Sequence, residues 1–100
     1  MNIISKKKIT AFTDKHSQSK SSFDTWYSIV KKQTFENFNE VRQLFPSADQ
    51  VKNFVVFNIG GNNYRLIALI NYRKGNLFVR HILTHTEYDK NKWKDDSWYT

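Results

Sequence analysis

The spacing of the apolar residues changes at Pro46. Before it they recur every three or four positions, as on one face of a helix; after it they come in β-rich blocks separated by Gly and Asn. That order predicts an α+β fold, with helices first and a small antiparallel β-sheet second, the helices packed on one sheet face and the other face partly open. At 100 residues the chain reads as one domain, 1–100, with one modest core.

The helical half reads as a hairpin followed by a short third helix. The first helix is predicted over 5–15, capped by Ser5, with Ile9 and Phe12 on a shared face. Residues 16–22 form a polar, serine-rich connector. Ser21 with Asp24 resembles a capping box that opens the second helix. On that helix Phe23, Trp26, Tyr27 and Val30 make one apolar stripe, and Lys31 and Lys32 suit the negative end of its dipole. In the third helix Asn37 and Glu40 fit a cap, Phe38, Val41 and Leu44 form the buried side, and Pro46 stops it.

Three strands follow, over 54–57, 64–72 and 77–83, joined by Gly60-Gly61-Asn62-Asn63 and Arg73-Lys74-Gly75-Asn76. Gly60-Gly61 reads as turn chemistry, since no helix follows it and the spacing of a phosphate-binding loop is missing. Centring the second hairpin near Lys74 sets Arg65 opposite Leu83, Ile67 opposite His81 and Leu69 opposite Val79. Arg65, His81 and His85 then point to one side, and Arg80 projects to the other, near Ala68.

Sixteen Lys and Arg against nine Asp and Glu give a formal charge of +7. A surface with that surplus suits a polyanion, whether RNA, DNA, an acidic protein or an anionic membrane, or is simply well solvated. The chain has no cysteine, so a disulfide framework and a thiolate metal site are excluded. Lys6, Lys7 and Lys8 are not followed by an apolar run of signal-peptide length, and no segment approaches a membrane span. A cytoplasmic location is expected, with no membrane partner.

Arg65 is a cation entering an apolar strand. Burying it alone costs several kcal/mol, so either Glu87 or Asp89 pairs with it, or it waits at the sheet edge for a phosphate. His85 suits proton exchange near neutrality or is an ordinary loop histidine. Tyr88 either stacks on a base or packs in the core. Lys90 and Lys92 either meet phosphates or are surface lysines. Trp93, Trp98 and Tyr99 either cover the sheet or receive a partner. His81 and His85 straddle a strand end, where residues four apart diverge, and lack a third ligand, so no metal is expected. With no activated Ser or Cys and no paired carboxylates, any catalysis relies on cations and proton transfer. Metal-free RNA cleavage meets that limit, because the ribose 2′-hydroxyl is itself the nucleophile.

The stretches Val56-Phe57-Asn58-Ile59, Asn62-Asn63-Tyr64-Arg65-Leu66-Ile67 and Thr84-His85-Thr86-Glu87-Tyr88-Asp89-Lys90 resemble the HigB toxins of the wider RelE group. The likeness runs over 45–90, and the helical half agrees in pattern. HigB toxins belong to type II toxin–antitoxin pairs and cleave mRNA, generally in the ribosomal A site. A HigA antitoxin with a helix-turn-helix domain silences them. The resemblance therefore implies an mRNA interferase, an endoribonuclease with a RelE-like toxin fold, and the chemistry read from the residues needs no metal or cofactor. It also implies mRNA on the ribosome and a HigA-like antitoxin as partners. Carried over by position, Arg65 matches the strand arginine on the scissile phosphate, and His85 falls at a catalytic basic position. Tyr88 and Lys90 follow in the same motif. Lys52 stands near a position of phosphate-contacting lysines, and Arg80 fits the family pattern. His81 and Lys92 complete the expected RNA-contacting set. Two other classes use the same cations: a non-catalytic RNA- or DNA-binding module, and a basic protein-interaction domain.

Overall fold

A computed structural model describes residues 1–100. Its elements are β1 (Asn2–Ile4), α1 (Lys6–Lys15), α2 (Lys20–Lys31), α3 (Phe38–Leu44), β2 (Asp49–Val51), β3 (Phe54–Ile59), β4 (Tyr64–Asn71), β5 (Asn76–Thr84) and α4 (His85–Asp89). Short 3-10 turns lie at Ser17–Ser19 and Lys92–Asp95. The five strands form one sheet in the order β1-β5-β4-β3-β2. The α+β architecture is the one expected, and it is consistent with the RelE-like toxin fold. No helix is long and apolar enough to cross a membrane.

Alternation along the strands sorts the core into two layers. Val55, Phe57, Leu66, Ala68 and Val79 face the helices and meet Phe23, Trp26 and Val30 of α2 and Val41 of α3. Phe54, Val56 and Ile67 face the other way and pack against Trp93. That second face was expected to be partly open. The C-terminal segment closes much of it, because Trp93 and Tyr99 supply apolar area that the strands alone leave wet.

Several local expectations are corrected. β1 and β2 were not predicted, since three-residue strands show too little alternation to read. β1 runs parallel to β5, pairing Ile3 with Leu77, so the sheet has a parallel edge beside its antiparallel strands. Ser21 lies inside α2. The helix is preceded by Ser19, whose hydroxyl donates to the His16 carbonyl at 2.6 Å, and Asp24 pairs with Lys20 at 2.8 Å. Ser5 precedes α1 with φ 77° and makes no side-chain cap. Asn37 does cap α3, accepting from the Glu40 N–H at 3.1 Å. Leu44 is 45% exposed. Phe45 takes the inward place instead, edge-on to Phe57 at 5.2 Å between centroids.

The hairpin register begins as expected, with Arg65 opposite Leu83 and Ile67 opposite His81. It then slips by one, so that Ala68 faces Val79 and Leu69 faces Phe78. Arg80 is the extra residue of a β-bulge, which re-aims side chains relative to simple alternation. At the β3–β4 turn Gly60 has φ 61°, and a Cβ there would meet the Tyr64 ring at 3.3 Å, so both backbone and space favour glycine.

Candidate functional site

Arg65 lies near the start of β4, on the sheet face turned away from α1, α2 and α3, and is only 8% exposed. Its Nη1 donates to the carbonyl oxygens of Asn62 and Tyr64, each at 3.1 Å. No carboxylate is within ion-pair distance. Glu87 is used in the cap of α4: its Oε1 accepts from the Thr84 N–H at 2.9 Å, and the Thr84 hydroxyl accepts from the Glu87 N–H at 3.2 Å. Asp89 instead lies 3.0 Å from His85 Nδ1. The fully buried side-chain polar atoms without a partner are Trp26 Nε1 and Tyr72 Oη, so the unengaged donors of Arg65 reach solvent.

Tyr88, on α4, presents its ring to this arginine. Its ring centroid is 5.4 Å from the guanidinium carbon, within cation–π range. The ring also stacks on Trp93, with centroids 5.3 Å apart and planes within 9°. Trp93 Nε1 donates to the Tyr88 carbonyl at 3.1 Å, tying the two together. Burial pushes the Tyr88 phenol above its ordinary value, and the charge of Asp49 acts in the same direction.

His85 is the first residue of α4. Its backbone N–H donates to the Asn63 carbonyl at 3.0 Å, which pins α4 to the turn at the head of β4. Its side chain is about half exposed. His81, next to the bulge residue Arg80, lines an open cleft of about 410 Å³ together with Leu83, Glu87, Lys90, Lys92 and Trp93. His85 does not line that cleft.

Arg80 and His81 converge on one acid. Arg80 Nε donates to Asp96 Oδ2 at 2.9 Å and Nη2 to Oδ1 at 2.7 Å, a bidentate pair. His81 Nε2 is 2.8 Å from the same Oδ2. The expectation that Arg80 projects away from His81, near Ala68, is therefore corrected by the bulge. The Arg80 guanidinium also sits 3.7 Å from the Trp98 ring centroid. The Arg80 guanidinium, the Trp98 backbone N–H and His81 hold the Asp96 carboxyl well below the usual carboxylate range, against the opposing effect of burial.

Lys52 occupies the β2–β3 turn with φ 55°. Its ammonium is 4.9 Å from the Tyr99 ring, and Tyr99 packs on Phe54 and Trp93. The structure thus gathers His81, Lys90 and Lys92 around one cleft, with Arg65 and Tyr88 joined to it through Trp93 and Lys52 reached through Tyr99. Asp96 was missed by the sequence reading. It stands in an aperiodic tail beside a second Asp, and nothing local marks it.

A helix-backed sheet with a cation-rich outer face defines a small basic protein of the RelE-like toxin class. Residues 19–91 match the family model of the HigB toxin, described as the RelE-like toxic component of a toxin–antitoxin system. The chain is 37% identical over 93 residues to the mRNA interferase HigB of Escherichia coli O6:H1 (strain CFT073), covering 90% of each protein. It is 29% identical over 92 residues to the mRNA interferase toxin HigB of Escherichia coli K12, covering 89% of this chain and 88% of that relative. The mRNA interferase HigB of Shigella flexneri matches to the same extent, 29% over 92 residues. The chain belongs to the HigB family of toxin–antitoxin toxins.

Proposed function

We propose that this toxin is an endoribonuclease that cuts mRNA during translation on the ribosome, by metal-free attack of a ribose 2′-hydroxyl on the adjoining phosphate. The observation that carries this reading is Arg65: a nearly buried guanidinium with no acid partner, held by two carbonyls and keeping donors open to solvent. A cation in that state favours an anion, and a phosphate gaining charge is the strongest anion the reaction offers. Lys90 adds a second positive charge. His85 exchanges protons. Tyr88, whose raised phenol stays protonated at neutral pH, offers its ring for stacking and its hydroxyl as a donor. Lys52, His81 and Lys92 contact RNA phosphates. Arg80 contributes less than the free lysines, because Asp96 already balances its charge.

A HigA-like helix-turn-helix antitoxin is the proposed silencing partner, and a gene for such a protein beside this one is the expected arrangement. The test expresses the wild type, Arg65→Ala and His85→Ala under tight control, following growth and newly formed mRNA 5′ ends. The wild type arrests growth and generates cuts within translated message; both variants lose the cuts. A folded wild-type protein that leaves translated mRNA intact overturns the reading.

A further inference from the structure

We propose that His81 takes the proton from the attacking 2′-hydroxyl, and that Asp96 is the positioning residue that readies its ring. The proposal rests on the endoribonuclease reading above and names a proton acceptor within it.

The Asp96 side chain is 4% exposed. Its two oxygens accept from Arg80 Nε and Nη2, from the Trp98 N–H at 2.9 Å, and lie 2.8 Å from His81 Nε2. So held, the carboxyl is ionised throughout the neutral range, and an ionised carboxylate only accepts hydrogen bonds. His81 Nε2 must therefore carry the hydrogen. In the neutral ring that leaves the lone pair on Nδ1. Nδ1 has no protein partner, and the ring lines the cleft that holds Lys90 and Lys92. A base with a fixed tautomer, beside ammonium groups that attract a phosphate, is the arrangement proton abstraction requires.

His85 lacks this support. Its contact with Asp89 joins side chains 51% and 60% exposed within one turn of helix, where solvent screens the pair. Asp96 lies outside residues 19–91, the span of the family match, and His81 lies inside it.

In the step, the O2′ proton passes to Nδ1 as the O2′–P bond forms and the P–O5′ bond breaks. The products are a 2′,3′-cyclic phosphate and an imidazolium at His81. His85, as an imidazolium, protonates the departing 5′-oxygen.

Long-range ¹H–¹⁵N correlation spectra of the free protein read the tautomer directly. A hydrogen on Nε2 of neutral His81, giving way to a mixture in Asp96→Asn, supports the positioning role; a wild-type Nδ1–H tautomer overturns it. In translation-coupled cleavage, His81→Gln lowers the rate by about 100-fold, well beyond the fall in RNA affinity that losing its phosphate contact brings. Asp96→Asn lowers it less, and Asp96→Glu recovers part of the loss. Wild-type rates in His81→Gln overturn the proton-transfer role. If the wild type cuts nothing, the parent reading and this role fall together, and the spectra still decide whether Asp96 sets the ring. If Asp96→Asn does not fold, the wild-type spectrum alone makes that decision.

Discussion

The Arg65 guanidinium and the Tyr88 ring lie 5.4 Å apart on the sheet face opposite α1, α2 and α3, and no carboxylate completes the pair. An aromatic face offsets only part of the cost of burying a cation. Arg65 is thus a site where stability and function pull in different directions.

Arg65→Met keeps the bulk of the side chain and removes the charge. Its stability in urea is expected to stay within about 1 kcal/mol of wild type or to rise, because replacing a poorly paired buried charge by an apolar group is often neutral or favourable. mRNA cleavage is expected to vanish. A loss of more than about 2 kcal/mol would show that the two carbonyl contacts make Arg65 a structural anchor instead.

Tyr88 separates ring from hydroxyl. Tyr88→Phe retains the stack on Trp93 and the face presented to Arg65, so it folds normally and keeps most of its cleavage. Tyr88→Ala removes the stack and loses about 2 kcal/mol together with most activity. Urea midpoints and cleavage rates for the pair check this. A phenylalanine variant as inactive as the alanine one would assign the essential role to the hydroxyl.

The helix-then-sheet order and the pairing of Arg65 with Leu83 were legible in the sequence, because both follow from apolar periodicity and a turn centred near Lys74. Arg80 was not. A bulge adds one residue to one strand, and no residue type at 79–81 announces it, so alternation carried past that point sends Arg80 the wrong way. Leu44 and Phe45 exchange roles for a related reason: the helical period predicts Leu44 inward, but α3 ends there and the next residue turns onto Phe57. Asp96 depends entirely on tertiary approach, meeting Arg80 and His81 across 16 and 15 residues of chain. The open choice at Arg65 between an acid partner and a waiting phosphate needed coordinates too, since Glu87 and Asp89 are engaged elsewhere.

Asp96 also sets a pH dependence. Its folded carboxyl is held below the unfolded value of about 3.9, so its contribution to stability is present above that value. Below about pH 4 the unfolded chain takes up a proton that the folded chain refuses, so acid favours unfolding. The contribution disappears as pH falls through the folded value. Asp96→Asn is expected to lose about 2 kcal/mol at pH 7, the usual scale for hydrogen bonds to a charged group, and the gap to wild type should narrow toward pH 3. Urea denaturation across that range measures it; a gap that stays constant would rule out the ionised carboxylate as its source.

Lys90 and Lys92 test whether the cleft is where phosphate binds. Both are exposed and neither forms an ion pair, so replacing them leaves folding within about 0.5 kcal/mol. Each lysine that neutralises a phosphate of single-stranded RNA contributes about 0.7 to the slope of log affinity against log salt. The double variant Lys90→Ala, Lys92→Ala is therefore expected to flatten that slope by about 1.4 and to weaken binding most at low salt. Lys20 is the control. It pairs with Asp24 on α2, and neither residue lines the cleft. Lys20→Ala changes the net charge by one and is expected to leave the slope nearly unchanged. Anisotropy titrations with a short single-stranded RNA over about 50–200 mM salt decide the matter. Equal slopes in the double variant and the control would mean that RNA responds to the overall charge of the protein and not to this face of the sheet.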